Sequence, residues 1–371
     1  MKNVPEFKKT IITTDFISEG VAAGDINRDG KMDIIAGYYW FESPQWKRHE
    51  IAPSRVFDPT KEYSNSFLNE CFDVNLDGWS DVVIIDYPGK VAHWFENPAG
   101  RSAPWKQHVI GDSIGIANES PLFVDVDGDG RLDLLCGDVK TKQIIWLQAP
   151  IKKGQSEWKR YAISKENFPG TDRFSHGLGY SDINKDGKKD VILTQGWIEG
   201  PVHTKQSNPV FHSGNLGEPC SQMYAIDVNA DGRTDVVSAS AHKLGIWWYE
   251  QAIDGSGKKG WRRNVISEVV SQTHASILVD INGDGRPDFI TGKRYLAHHD
   301  SSDPGTNDPS LLIWLELISE APYWRLHEID NNSGVGLNIV AKDINNDGRT
   351  DIVIANKKGV FLFENHIQQK N

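Results

Sequence analysis

One nine-residue pattern, D-[IV]-[ND]-x-D-G-x-x-D, recurs seven times along the chain and limits its fold more than any other feature. The copies open at Asp25, Asp73, Asp125, Asp182, Asp227, Asp280 and Asp343, about 45 to 63 residues apart. Each is followed by an apolar run such as Ile34-Ile35, Val236-Val237 or Ile352-Val353-Ile354. Apolar, β-branched flanks mean that strands enter and leave each loop.

Two further strands complete each unit. An aromatic-led segment precedes most copies, as in Trp46-Lys47-Arg48-His49 and Trp324-Arg325-Leu326-His327, and Phe7-Lys8-Lys9-Thr10 reads as the first of them. A second aromatic segment follows most loops, as in Trp40-Phe41-Glu42, Trp94-Phe95-Glu96 and Phe361-Leu362-Phe363-Glu364. Four short strands per unit and seven units predict an all-β chain: one seven-bladed β-propeller domain of four-stranded blades over residues 1–371. The chain starts on an outer-type strand, so the N-terminal strand is expected to complete the last blade and close the ring. Blade four is irregular, because Gln195-Gly196-Trp197-Ile198-Glu199-Gly200-Pro201 reads as a loop and Phe211-His212 is a weak substitute for the aromatic-led strand.

The repeat loops offer oxygen ligands to a hard cation, Ca2+ or Mg2+. Their side chains are Asp25, Asn27, Asp29 and Asp33; Asp73, Asn75, Asp77 and Asp81; Asp125, Asp127, Asp129 and Asp133; Asp182, Asn184, Asp186 and Asp190; Asp227, Asn229, Asp231 and Asp235; Asp280, Asn282, Asp284 and Asp288; and Asp343, Asn345, Asp347 and Asp351. The spacing is that of the start of an EF-hand loop without its Glu at position 12. The alternative is a turn in which the same side chains bond their own backbone and Gly takes the left-handed conformation.

The net charge of -11 owes much to these loops, since 22 of the 51 acidic residues lie in them. A basic footprint for nucleic acid is absent, as is an apolar run long enough to span a membrane. Cys71, Cys136 and Cys220 form no disulfide framework. Calcium-type loops favour a periplasmic or extracellular home, whereas Met1-Lys2-Asn3-Val4-Pro5 lacks the apolar core of a signal peptide and leaves the cytoplasm open.

The repeat loop is the turn between the first and second strands of a blade. The starts of the inner strands and the loops between the second and third strands therefore share the opposite face. Six places before each first Asp stand Glu19, Phe67, Glu119, His176, Ser221, His274 and Leu337, a ring at the channel mouth. The loops on that face add Asp138, Lys140, Trp197, His242 and a long excursion from Gly292 to Pro309 that includes Tyr295, His298 and His299. His176, His242 and His274 come from blades four, five and six, and three neutral imidazoles with an open position suit a catalytic Zn2+. Glu19 and Glu119 are candidates for a fourth ligand or a base; His298 and Trp197 are candidates for sugar contact. His49, His108 and His327 repeat at one outer-strand position and read as fold elements.

The seven copies resemble the FG-GAP/VCBS repeats of integrin-α-like propellers. More narrowly, Ser175-His176-Gly177-Leu178-Gly179, Gly196-Trp197-Ile198-Glu199-Gly200-Pro201, Ala241-His242-Lys243 through Glu250-Gln251, and Gly292-Lys293-Arg294-Tyr295 through Asp303-Pro304-Gly305 resemble the propeller domain of aldos-2-ulose dehydratases. That resemblance implies zinc-dependent dehydration of a keto sugar such as 1,5-anhydrofructose, by proton abstraction next to a carbonyl and β-elimination. It implies Glu119 or His299 as base, Tyr295 as leaving-group acid, Lys293 and Arg294 as charge stabilisers, and Glu19, Asp138, Trp197 and His298 as substrate contacts. The chain has no room for the cupin and lectin-like domains of the large fungal form, so a later isomerisation step is not implied. Two other functions fit the same residues: a polysaccharide lyase acting on a uronate-containing glycan, and a non-catalytic propeller that binds a glycan or a protein.

Overall fold

The computed structural model describes residues 4–111, 114–203, 209–253, 255, 259–298 and 302–367. Its strands form seven four-stranded antiparallel sheets, each built from consecutive strands except the last. In that sheet the N-terminal strand Pro5–Thr13 pairs with Gly359–Ile367, from Pro5 opposite Ile367 to Thr13 opposite Val360. The predicted ring closure is therefore present, and it removes the edge that an open blade would offer to other chains. Among the described residues there is no helix, and hence none long and apolar enough to cross a membrane.

The core is not one mass but seven wedges between blades. Adjacent residues of each second strand point to opposite faces, so Ile34 packs toward blade seven while Ile35 packs toward blade two. Val82 and Val83, Leu134 and Leu135, Val191 and Ile192, Val236 and Val237, Phe289 and Ile290, and Ile352 and Val353 divide in the same way. Both faces of every blade are buried, which is why these strands read as unbroken apolar runs rather than alternating ones. Each such side chain contributes about 1.5–3 kcal/mol of burial.

Outside the wedges a second repeat appears. Trp40, Trp94, Trp197 and Trp314 on third strands stack on His49, His108, His212 and His327 of outer strands, with ring centroids 3.9 to 4.2 Å apart. Each histidine also bonds the Glu two residues after its tryptophan, Glu42, Glu96, Glu199 and Glu316. Blade four is thus regular: Gly196–Ile198 is its third strand and Phe211–Ser213 its outer strand.

The seven loops share one geometry. In six of them the first Asp accepts the N–H groups of positions 5 and 6, as Asp25 does from Asp29 and Gly30; in blade three, Asp125 takes those of Gly128 and Gly130. The position-6 glycines all have φ between 82 and 96°. At Gly30, Gly130, Gly187, Gly232, Gly285 and Gly348 an added Cβ would meet nothing, so conformation rather than space selects glycine there. Position 9 points inward. Asp33 accepts from Ile26 N–H with one oxygen and from Ser43 N–H with the other. The same double bond to loop and third-strand end recurs at Asp81, Asp133, Asp190, Asp235, Asp288 and Asp351.

Across the axis, Ser120 of blade three and Gln222 of blade five both donate to the Leu337 carbonyl of blade seven, at 3.1 Å each. Ser120 and Gln222 directly follow the ring positions Glu119 and Ser221, and Leu337 is the blade-seven member of that ring, so these bonds cross the axis at the ring itself.

Candidate functional site

The inner strands Leu122–Val124, Gly179–Ser181 and Ser276–Val279 begin two or three residues after Glu119, His176 and His274, so a common register delivers all three side chains to the mouth. His242 arrives from a tight turn after strand Asp235–Ala239, pinned by Ala241 N–H to Pro219 O and by Lys243 N–H to Ser240 Oγ. The three imidazoles meet. His176 Nε2 and His242 Nε2 are 3.1 Å apart, and one nitrogen from each of the three rings lies within 4.8 Å of the others.

Their planes cross at 69°, 62° and 86°, so their in-plane lone pairs approach from different directions. Nitrogens about 2.0–2.1 Å from a tetrahedral zinc stand about 3.3 Å from each other; the His176–His242 pair is at 3.1 Å and the His274 nitrogen lies within 4.8 Å of both. His274 Nε2 is buried without a hydrogen-bond partner among the described residues. An orphaned buried nitrogen, neutral rings and an all-imidazole donor set fit a bound Zn2+. Burial pushes His176 and His242 down to about 4 and His274 well below the ordinary range. At His176 a hydrogen bond with the Phe174 backbone works in the opposite direction. All three rings are therefore neutral imidazoles at pH 7.

Glu119 sits against this group, with Oε1 3.7 Å from His176 Nε2 and Oε2 3.6 Å from His274 Nδ1. Burial pushes its carboxyl up, and the Arg294 guanidinium, 3.9 Å away, opposes that shift. Glu19, expected to touch substrate, instead forms a buried ion pair with Arg294 at 2.8 Å. Arg294 thereby presents a fixed charge to Glu119. Lys293 is 1% exposed, and its Nζ donates to the carbonyls of Thr306 and Arg294, so it braces the long loop rather than facing the mouth.

Other expected positions fall elsewhere. Trp197 lies on the flank of blade four, stacked on His212, because Trp197-Ile198-Glu199 takes the third-strand register of Trp40-Phe41-Glu42. There it lines a cavity of about 560 Å³ with Trp261 and Asn184, away from the histidines. Asp138 is a buried turn anchor that accepts from Gly115 N–H, Lys140 N–H and Thr141 Oγ–H. The Tyr295 ring lies under Lys358 Nζ, 5.2 Å from its centroid. His299 is outside the described residues. His298 stays near the cluster, its ring stacked on His242 with centroids 4.8 Å apart.

Three residues to which the sequence assigns no role complete the mouth. Asp303 Oδ2 is 2.8 Å from His298 Nδ1. Tyr63 lies with its ring 5.8 Å from the Arg294 guanidinium and 4.6 Å from Lys357 Nζ. Lys357 is 2% exposed and donates to Leu296 O at 2.7 Å; burial lowers its ammonium to about 8. Its loop joins the second and third strands of blade seven, the counterpart of the turn that carries His242, so the repeat register held that signal.

Fold and loops define the class: this is a seven-bladed β-propeller carrying FG-GAP-like repeats, and the FG-GAP-like repeat family matches residues 73–136 and 227–291. Among curated proteins the sequence finds no match. Among solved structures it is similar to BBS1N, solved in complex with ARL6DN, with a TM-score of 0.57, 8% identity, and coverage of 100% of this chain and 99% of that one. Sqt1 of Saccharomyces cerevisiae gives 0.51 and 11%, over 99% and 100% of the two chains. The rhamnogalacturonan lyase YesW gives 0.48 and 13%, over 98% and 74%. At these identities the likeness concerns the fold alone, and function has to be argued from the site.

Proposed function

We propose that the protein is a metal-dependent carbon–oxygen lyase that removes a proton next to the carbonyl of a small keto sugar and expels the β-oxygen. The convergence of His176, His242 and His274 at the channel mouth carries this reading. The sequence resemblance to aldos-2-ulose dehydratases supports the substrate class. A zinc held by the three imidazoles would supply Lewis acidity to a carbonyl oxygen.

The surrounding residues have compatible tasks. Arg294, locked by Glu19, and the Lys357 ammonium place fixed positive charge where negative charge develops on an enolate. Glu119, held toward its protonated form by burial, is able to donate a hydrogen bond to an oxygen beside the imidazoles. A polymeric uronate is less favoured, because Lys293 is buried and donates to the carbonyls of Thr306 and Arg294 rather than standing on an open rim.

The test is elemental analysis by plasma mass spectrometry of wild type, His176→Ala and His274→Ala, followed by turnover of 1,5-anhydrofructose read as absorbance of the unsaturated product. The reading expects about one zinc per chain in wild type, lost in both variants together with turnover. A wild type that retains no transition metal, or retains it equally in both variants, overturns the reading. Turnover of a polyuronate instead of the keto sugar would move it to the glycan lyases.

A further inference from the structure

A second group of possible metal ligands adjoins the first: His242, His298 and Asp303 also bring one atom each within 4.8 Å of the others. Ring orientation decides what this group is. The planes of His242 and His298 are inclined by only 10° and stacked. Imidazole lone pairs lie in the ring plane, so two stacked parallel rings direct them along separate planes that do not meet at one ion. The rings of the first group cross at 62° or more. His298 and Asp303 therefore do not form a second metal site with His242.

What remains is a hydrogen bond of 2.8 Å between His298 Nδ1 and Asp303 Oδ2. A carboxylate only accepts, so Nδ1 carries the proton and Nε2, on the far edge of the ring, keeps its lone pair. The Asp303 side chain is 12% exposed, and its backbone carbonyl is held by the hydroxyl and the N–H of Thr306. The His298 side chain is 43% exposed and rests directly on His242, one of the three clustered imidazoles. This is the arrangement of a base oriented by a carboxylate, placed beside the group that would polarise a carbonyl.

We infer that His298 is the general base of the elimination and that Asp303 is its positioning residue, fixing the tautomer that leaves Nε2 free. The inference rests on the lyase reading above. The Nε2 lone pair takes the proton from the carbon next to the carbonyl, and the C–H electron pair becomes the enolate. The enolate re-forms the carbonyl as a carbon–carbon double bond forms and the β-carbon–oxygen bond breaks. The imidazolium then returns its proton to the departing oxygen, which leaves as water or an alcohol. Atoms and charge balance without any further reactant.

Two measurements on the full chain test it. Long-range 1H–15N correlation of the histidine rings, with His298 assigned through His298→Gln, is expected to show a protonated Nδ1 in wild type and a shift toward a protonated Nε2 in Asp303→Ala. A wild type already protonated on Nε2, or no change in Asp303→Ala, overturns the role of Asp303. Second, 1,5-anhydrofructose is incubated in D2O. His298→Gln is expected to lose both exchange of the proton next to the carbonyl and kcat by about a hundred- to ten-thousand-fold, with KM and zinc content near wild type. Wild-type kcat in His298→Gln overturns the base while leaving the lyase reading intact. A wild type that neither exchanges nor turns over this ketone overturns both.

Discussion

Glu19 and Glu119 occupy equivalent positions just before two inner strands, yet one is spent on structure and the other faces the histidines. The Glu19–Arg294 pair is almost fully buried, so removing one partner strands a charge in a medium that solvates it poorly. Glu19→Ala is expected to destabilise the protein by about 3–5 kcal/mol in urea unfolding, and Glu19→Gln combined with Arg294→Met to recover much of the loss. Equal losses in the single and double variants would contradict this. At this scale the sequence was legible wherever the repeat fixed a register. Glu119, His176 and His274 are found by counting back from an Asp, and His242 by comparing turns. Trp197 was misplaced because flanking glycine and proline hid a Trp-x-Glu strand that Trp40, Trp94 and Trp314 had already defined. Asp303 and Tyr63 lie in segments with no counterpart in other blades, so nothing in the pattern aligned them.

Among the elements, the repeat loop has two layers with different duties. Its outer carboxylates satisfy the turn's own N–H groups, whereas the ninth-position carboxylate ties the loop to the end of the third strand. Asp235→Ala leaves the N–H groups of Val228 and Gln251 unpaired, each buried donor costing about 1–3 kcal/mol. The expected loss is about 2–6 kcal/mol by urea unfolding with chelator present, against less than about 1 kcal/mol for the exposed Asp231→Ala. Similar losses at both positions would mean that the outer layer also carries the fold. The spacing alone revealed a turn and a set of oxygens. It did not reveal that the last Asp faces inward, because that depends on a strand arriving some ten residues later.

For the whole ring, the same buried carboxylates set a pH dependence. Burial raises Asp33 and Asp235 to about 6 and Asp81, Asp133 and Asp288 to about 7, from an ordinary 3.8. Between about pH 4 and 7 the folded chain then binds more protons than the unfolded chain, so stability falls as pH rises through that window. His176 and His242, pushed down to about 4, act in reverse between there and about 6.5, but they are fewer. Thermal unfolding with chelator is therefore expected to show a lower Tm at pH 7.5 than at pH 5. Calcium added at pH 7.5 restores it if the loops take cations, and leaves it unchanged if they are turns only. The bond from Ser120 and Gln222 to one carbonyl of Leu337 has a consequence of another kind. Blades three, five and seven share no strand, yet their inner ends are tied through a single carbonyl beside the histidines. A shift in any one of these three blades is thus passed to the other two, and the floor beneath the imidazoles moves as one piece or not at all.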